Sequence, residues 1–197
     1  MNLPNKLTIF RIMLVPLIIL VWLFPYAEFN IDLPSVDVGV VTLSFKAIVA
    51  FTIFTIASIT DFFDGYLARK YNLMTTFGKF ADPIADKMLV NTMLLLLSNS
   101  NYLIILPVII MITRDIIVDG MRMLASNNGV VVSAGYLGKL KTVSQMILIV
   151  FCLLGNLPFE LKNIPFVDFM LWFTTFISVI SGVSYYIQLK DYIFESK

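Results

Sequence analysis

Four aspartates, Asp61, Asp64, Asp82 and Asp86, are the residues of this chain whose type and spacing suit chemistry. They stand in two consecutive apolar stretches, reading D-F-F-D-G-Y-L-A-R and then, after eight residues, G-K-F-A-D-P-I-A-D. Carboxylates are costly in hydrocarbon, so two pairs at helical spacing need a reason to be there. A divalent cation is the simplest reason, and oxygen ligands suit magnesium, manganese or calcium. Asp61 and Asp64 lie at i, i+3 and Asp82 and Asp86 at i, i+4, so each pair shares a helix face. Four such groups repel one another unless neutralised. Two divalent ions about 3.5–4 Å apart would do this and make a phosphoryl-transfer centre. Shared protons, or pairing with Arg69, Lys79 or Lys87, would also do it. Gly65 and Ala68 continue the stripe from Asp61 at i+4 and i+7, where small residues leave room for a ligand or permit close helix packing. Gly78 offers the same at the start of the next helix, and Pro83 is tolerable there because the first helical turn has unused N–H groups.

The elements that must position these acids belong to a membrane protein. Of 197 residues, 59% are apolar and 14% charged, and the mean hydropathy is +0.90. Soluble domains average about 45–50% apolar and about 25% charged. An all-α membrane protein of one domain over 1–197 is expected, with six transmembrane helices around a polar cavity that faces the cytoplasm. The spans are predicted at Leu7–Phe24, Phe45–Leu67, Phe80–Leu97, Tyr102–Leu124, Leu140–Leu154 and Pro165–Leu189. Each is long enough, or nearly so, to cross about 30 Å of hydrocarbon. If the second helix enters near Lys46, Asp61 lies about 22 Å further along. The third helix returns from the same side, which brings all four acids to one level near the cytoplasmic edge.

Orientation follows from the basic residues. With both termini in the cytoplasm, twelve of the fourteen Lys and Arg fall inside, and only Lys46 and Lys162 remain outside. The first apolar run lacks a small-residue cleavage pattern after Phe24 and is expected to stay as a span. Cys152 is the only cysteine and there is no histidine, so chemistry must run on carboxylates, Lys, Arg, hydroxyls and metal ions. The net charge of +1 implies no nucleic-acid partner.

A second basic group lies at Arg114, Arg122, Lys139 and Lys141, the lysines within G-K-L-K-T. Arg114 and Arg122 are eight residues apart and share a helix side. Such cations can hold an anionic group such as a phosphate. Equally, they can pair with Asp115 and Asp119 or snorkel to the interface. Thr8 and Arg11 can face the same cavity as these cations or act as interfacial anchors.

Asp61, Asp64, Gly65, Ala68, Arg69, Gly78, Asp82 and Asp86 match, without departure, the signature D-x-x-D-G-x-x-A-R-x8-G-x-x-x-D-x-x-x-D. In these residues the chain resembles the CDP-alcohol phosphotransferase family. That resemblance implies two divalent cations, Mg2+ or Mn2+, on Asp61, Asp64, Asp82 and Asp86, with Asp86 also the catalytic base. It implies a wall for the CDP moiety at Gly65, Ala68 and Gly78, with Arg69 near the phosphates. The start N-K-L-T-I-F-R and the R-D, G-M-R and G-K-L-K-T stretches resemble the phosphatidylglycerophosphate synthase branch. The implied partners are CDP-diacylglycerol and glycerol 3-phosphate, whose phosphate would meet Arg114, Arg122, Lys139, Lys141 and Thr8. A homodimer in the cell membrane is expected from the same resemblance. The alternatives are another alcohol acceptor (inositol phosphate, serine or phosphatidylglycerol) and, from a different class, a divalent-cation transporter. Transport needs access from both faces, whereas these acids gather near one.

Overall fold

The structure, a computed structural model, describes residues 2–71, 75–127 and 135–193, without the side chains of 3, 62, 64, 66–69, 76, 79, 127 and 191–193. Six α-helices account for most of these residues: α1 Leu3–Leu23, α2 Phe45–Lys70, α3 Thr76–Asn99, α4 Ile105–Asn127, α5 Tyr136–Leu153 and α6 Phe166–Ile193. All six predicted segments are therefore helical, and the fold is all-α of membrane type. Three of the helices, over Pro4–Leu23, Tyr136–Leu153 and Phe166–Lys190, are long and apolar enough to cross a bilayer. Large apolar side chains stand outward on the helices, among them Met13, Leu20, Ile116, Phe169, Phe176 and Ile187. Water would not favour so many of them; lipid does.

One compact unit comprises Met1–Leu96 with Val150–Ile164. In it α1 packs along α2. Leu14, Val15, Ile18 and Trp22 form the buried side of α1, while α2 buries Ala47, Ala50, Phe54 and Ala57. Alanines at these positions let the two backbones approach closely, which compensates for the weak drive for helix association in lipid. Pro4 sits in the first turn of α1, where its missing N–H is not needed. Ser44 Oγ accepts from the Ala47 backbone N–H at 3.3 Å and so caps the start of α2. Thr75 Oγ1 does the same for α3, accepting from Gly78 N at 3.0 Å.

Between α1 and α2 the chain forms a feature that hydropathy did not signal. β1 (Ser35–Val38) and β2 (Val41–Ser44) pair antiparallel, with Val38 opposite Val41. Gly39, at φ +65°, opens the tight turn between them. The segment after α5 lies against this hairpin: a Cβ on Gly39 would come 3.2 Å from Leu161 Cδ2, and one on Gly155 would collide with Val41 Cγ1. Asn156 steadies that segment by donating to Glu160 Oε2 at 2.7 Å and to Ile164 O at 2.8 Å.

The other unit comprises Leu97–Ile149 with Pro165–Lys197. Here α4 packs along α6, and Val118, Met121, Ala125, Tyr185 and Leu189 form one buried apolar cluster. The same helix α6 also buries Thr174, Ser178 and Ser181 on its packed side.

Gly155 combines a left-handed backbone, φ +63°, with direct contact to the hairpin. Gly155→Ala should cost about 1–3 kcal/mol from backbone strain, before any collision with Val41 is counted. A thermal melt in detergent micelles checks this, and an unaltered midpoint would mean that neither the left-handed backbone nor the contact with Val41 constrains this position.

Candidate active site

The acids of α2 and α3 meet a face of α1 that consists of Asn5, Thr8 and Arg11, at i, i+3 and i+6. All three are buried, at 7%, 1% and 0% exposure. Arg11 carries the principal contact. Its Nη1 donates to Asp61 Oδ1 at 2.7 Å and to Asp86 Oδ1 at 2.6 Å. One nitrogen thus links a carboxylate of α2 to a carboxylate of α3. Thr8 Oγ1 donates to Asp82 Oδ1 at 2.6 Å and lies 3.1 Å from Pro4 O. Asn5 Oδ1 accepts from Thr75 Oγ1 at 2.8 Å, at the residue that caps α3.

Gly78 belongs to the same cluster. A Cβ there would lie 3.3 Å from Asn5 Oδ1, 3.3 Å from Thr75 Oγ1 and 3.7 Å from Asp82 Oδ2. Any larger residue would press on Asn5, Thr75 and Asp82. Gly65 follows Asp61 by one turn of α2 and is half-buried. The side chains of Asp64, Ala68 and Arg69, three further site positions of α2, lie outside the described residues. Asp61 and Asp86 are about one-third exposed, at 32% and 35%, so the acids are held from one side and accessible from another.

The donor set is chemically suited to a hard cation, because Asp61, Asp82 and Asp86 offer oxygen alone. Among the described residues no three acids close into a metal-binding group. Asp64, the fourth acid, is not one of those residues. Of the counter-cations expected from sequence, Arg69 and Lys79 have side chains outside the described residues, and Arg11 was expected as an acceptor-cavity residue or an interfacial anchor. The structure puts Arg11 on Asp61 and Asp86. The available signal was the i, i+3, i+6 spacing of Asn5, Thr8 and Arg11 on one face of a helix whose only other charged or polar residue is Lys6.

The second basic group divides. Arg114 donates Nη1 to Asp115 Oδ1 at 2.9 Å, Nη2 to Ser181 Oγ at 2.6 Å and Nε to Ser178 O at 3.1 Å. Its guanidinium also stands 5.6 Å from the centre of the Tyr185 ring. Gly182 permits that approach, since a Cβ there would lie 3.0 Å from Arg114 Cγ. Lys141 Nζ donates to both oxygens of Asp115, at 2.7 and 2.5 Å. Asp115 therefore joins α4 to α5, and Arg114 joins α4 to α6. Tyr185 adds a further tie, its hydroxyl accepting from Gly135 N at 2.9 Å just before α5 begins. Arg122 and Lys139, by contrast, are exposed. Thr8, expected with these cations at a phosphate, is instead engaged with Asp82.

Known proteins resemble this chain along nearly all of its length. A family model described as CDP-alcohol phosphatidyltransferase matches residues 1–181. A CDP-diacylglycerol–glycerol-3-phosphate 3-phosphatidyltransferase of Bacillus subtilis (strain 168) is 43% identical over 185 residues, covering 94% of this chain and 93% of that protein. A protein of the same name from Rickettsia typhi (strain ATCC VR-144 / Wilmington) is 37% identical over 192 residues, covering 97% and 98%. Another, from Mycoplasma genitalium (strain ATCC 33530 / DSM 19775 / NCTC 10195 / G37), is 39% identical over 153 residues, covering 76% and 64%.

Asp115 and Lys141 are 3% and 5% exposed, which makes their pairing costly to break. Asp115→Asn would leave Arg114 and Lys141 facing a neutral amide, a loss of about 3–5 kcal/mol. The expected readout is a markedly lower unfolding midpoint in detergent. A midpoint equal to that of the wild type would show that Asp115 is not the group that compensates these cations.

Proposed function

Because the chain belongs to the CDP-alcohol phosphatidyltransferase family, we propose that it transfers the phosphatidyl group of CDP-diacylglycerol to glycerol 3-phosphate, giving phosphatidylglycerophosphate and CMP. One coincidence carries this reading. Near full-length identity to 3-phosphatidyltransferases accompanies a site where acids from successive helices converge on one buried guanidinium.

In this reaction the acceptor hydroxyl attacks the phosphorus that bears the diacylglycerol. The new P–O bond forms as the bond to CMP breaks, and Asp86 takes the hydroxyl proton. Asp61, Asp64, Asp82 and Asp86 would hold two divalent cations, magnesium or manganese, which supply neutralisation of the diphosphate charge. Gly65, Ala68 and Gly78 would form the wall against the CDP moiety, with Arg69 near its phosphates. Gly78 is buried next to Asp82, so that wall would adjoin the cation ligands.

Arg122 and Lys139 are the cations best exposed to meet the acceptor's phosphate. Arg114 and Lys141, joined through Asp115, support that region and complete its positive charge. Thr8, through its bond to Asp82, belongs in this reading with the cation ligands. The six helices would each cross the membrane as a multi-pass protein, with both termini and the acids on the cytoplasmic side. Twelve basic residues against two favour that orientation. The protein would act as a homodimer.

Purified enzyme supplied with CDP-diacylglycerol and a panel of labelled alcohols should release CMP with glycerol 3-phosphate and leave inositol phosphate, serine and phosphatidylglycerol unused. Product from one of these and none from glycerol 3-phosphate would overturn the assignment of acceptor. Metal-ion flux without any CMP release would replace the enzyme with a transporter. Asp86→Asn should lower kcat by about 10²–10⁴ while the protein remains monodisperse, in line with loss of a general base. Full turnover in that variant would remove Asp86 from its role.

A further inference from the structure

Arg11 is fully buried, and its charge is permanent because a guanidinium does not lose its proton in a protein. It cannot swing away cheaply. Thr8, one turn earlier on the same face, is bonded to Asp82, and α1 lies packed along α2. A fixed positive charge therefore sits 2.6–2.7 Å from one oxygen of Asp61 and one oxygen of Asp86. Two effects follow from elementary electrostatics. The hydrogen bonds orient both carboxylates, and the charge opposes any further cation drawn to the same acids.

We propose that Arg11 is a positioning residue that aligns Asp86 with Asp61 for turnover and, by the same contacts, holds the affinity of the acids for divalent cations well below its intrinsic value. The inference rests on the metal-dependent reading above and deepens it. Four carboxylates without a fixed counter-charge would bind divalent ions tightly and release the cation-bound phosphate of CMP slowly. Arg11 offsets part of that attraction while keeping the acids in register. Positioning and attenuation thus come from one side chain, so they should separate when it is changed.

The test is Mn2+ binding, followed by the paramagnetic signal of the free ion, on the full-length protein in detergent micelles, with turnover measured in parallel. Arg11→Gln removes the charge while keeping a polar side chain. It should bind Mn2+ at least roughly tenfold more tightly, as expected for loss of a close positive charge, while kcat at saturating metal falls by a similar factor or more. Arg11→Lys keeps a charge on a shorter stem and should fall between wild type and the glutamine variant in both measurements. A merely structural arginine would give the opposite pattern, with metal binding and turnover lost together. Equal or weaker Mn2+ binding in Arg11→Gln overturns the proposal. If that variant is not monodisperse, Arg11→Lys decides, and unchanged or weakened binding there overturns it equally. Asp61→Asn separates the two levels of argument. If wild type shows no Mn2+ binding that this substitution diminishes, the metal reading fails and the role of Arg11 with it. If wild type binds in that way and neither Arg11 variant binds more tightly, only the role of Arg11 fails.

Discussion

A carboxylate carried into an apolar helix needs a positive or strongly polar partner within hydrogen-bond reach, and much of this structure answers that need. In the unit containing α1 and α2, Arg11 bridges Asp61 and Asp86, and Thr8 supports Asp82. In the unit containing α4 and α6, Asp115 is met by Lys141 and Arg114. The two solutions differ in exposure. Asp115 is buried with its partners and uses them to tie helices together. Asp61 and Asp86 keep about one-third of their surface open. Buried ion pairs contribute little net stability but are expensive to break. The arrangement around Asp115 is suited to holding shape and that of Asp61 and Asp86 to meeting a ligand.

The N-terminal helix consequently serves two purposes. Its apolar side, Leu14, Val15, Ile18 and Trp22, gives it a place in the core. Its polar side, Asn5, Thr8 and Arg11, reaches the capping residue of α3 and three of the four signature acids. The D-x-x-D-G signature thus describes only part of the site. A carboxylate that meets a ligand needs its lone pairs aimed as well as its charge present, and for Asp61, Asp82 and Asp86 the contacts come from a helix far away in sequence.

The helices were legible in the sequence because each is a long apolar run between polar turns, and every predicted segment is helical. Depth and spacing led to the expectation that the acids of α2 and α3 share one level; that Asp61 and Asp86 share Arg11 comes from the structure alone. Other features were not legible either. β1 and β2 have four residues each, and Ser35-Val36-Asp37-Val38 is too short and polar for hydropathy to mark. Arg11 at a span end looks the same in sequence whether it snorkels or turns inward, since rotation of α1 about its axis decides. Asp115 was recognised as a possible partner of Arg114 because it is adjacent. Ser178 and Ser181, the other partners, lie more than sixty residues away, and only the packing of α4 on α6 joins them.

The seat of the β1–β2 hairpin is built from residues 155–161, more than a hundred positions later in the chain. A ribosome releasing this polypeptide finishes α1, α2 and α3 long before it supplies that seat. The first unit is thus closed by a latecomer, because the residues that meet the hairpin follow five helices in the chain. Errors of insertion anywhere between would strand the hairpin without its cushion, so the order of synthesis itself becomes a constraint on which mutations the middle of the chain can bear.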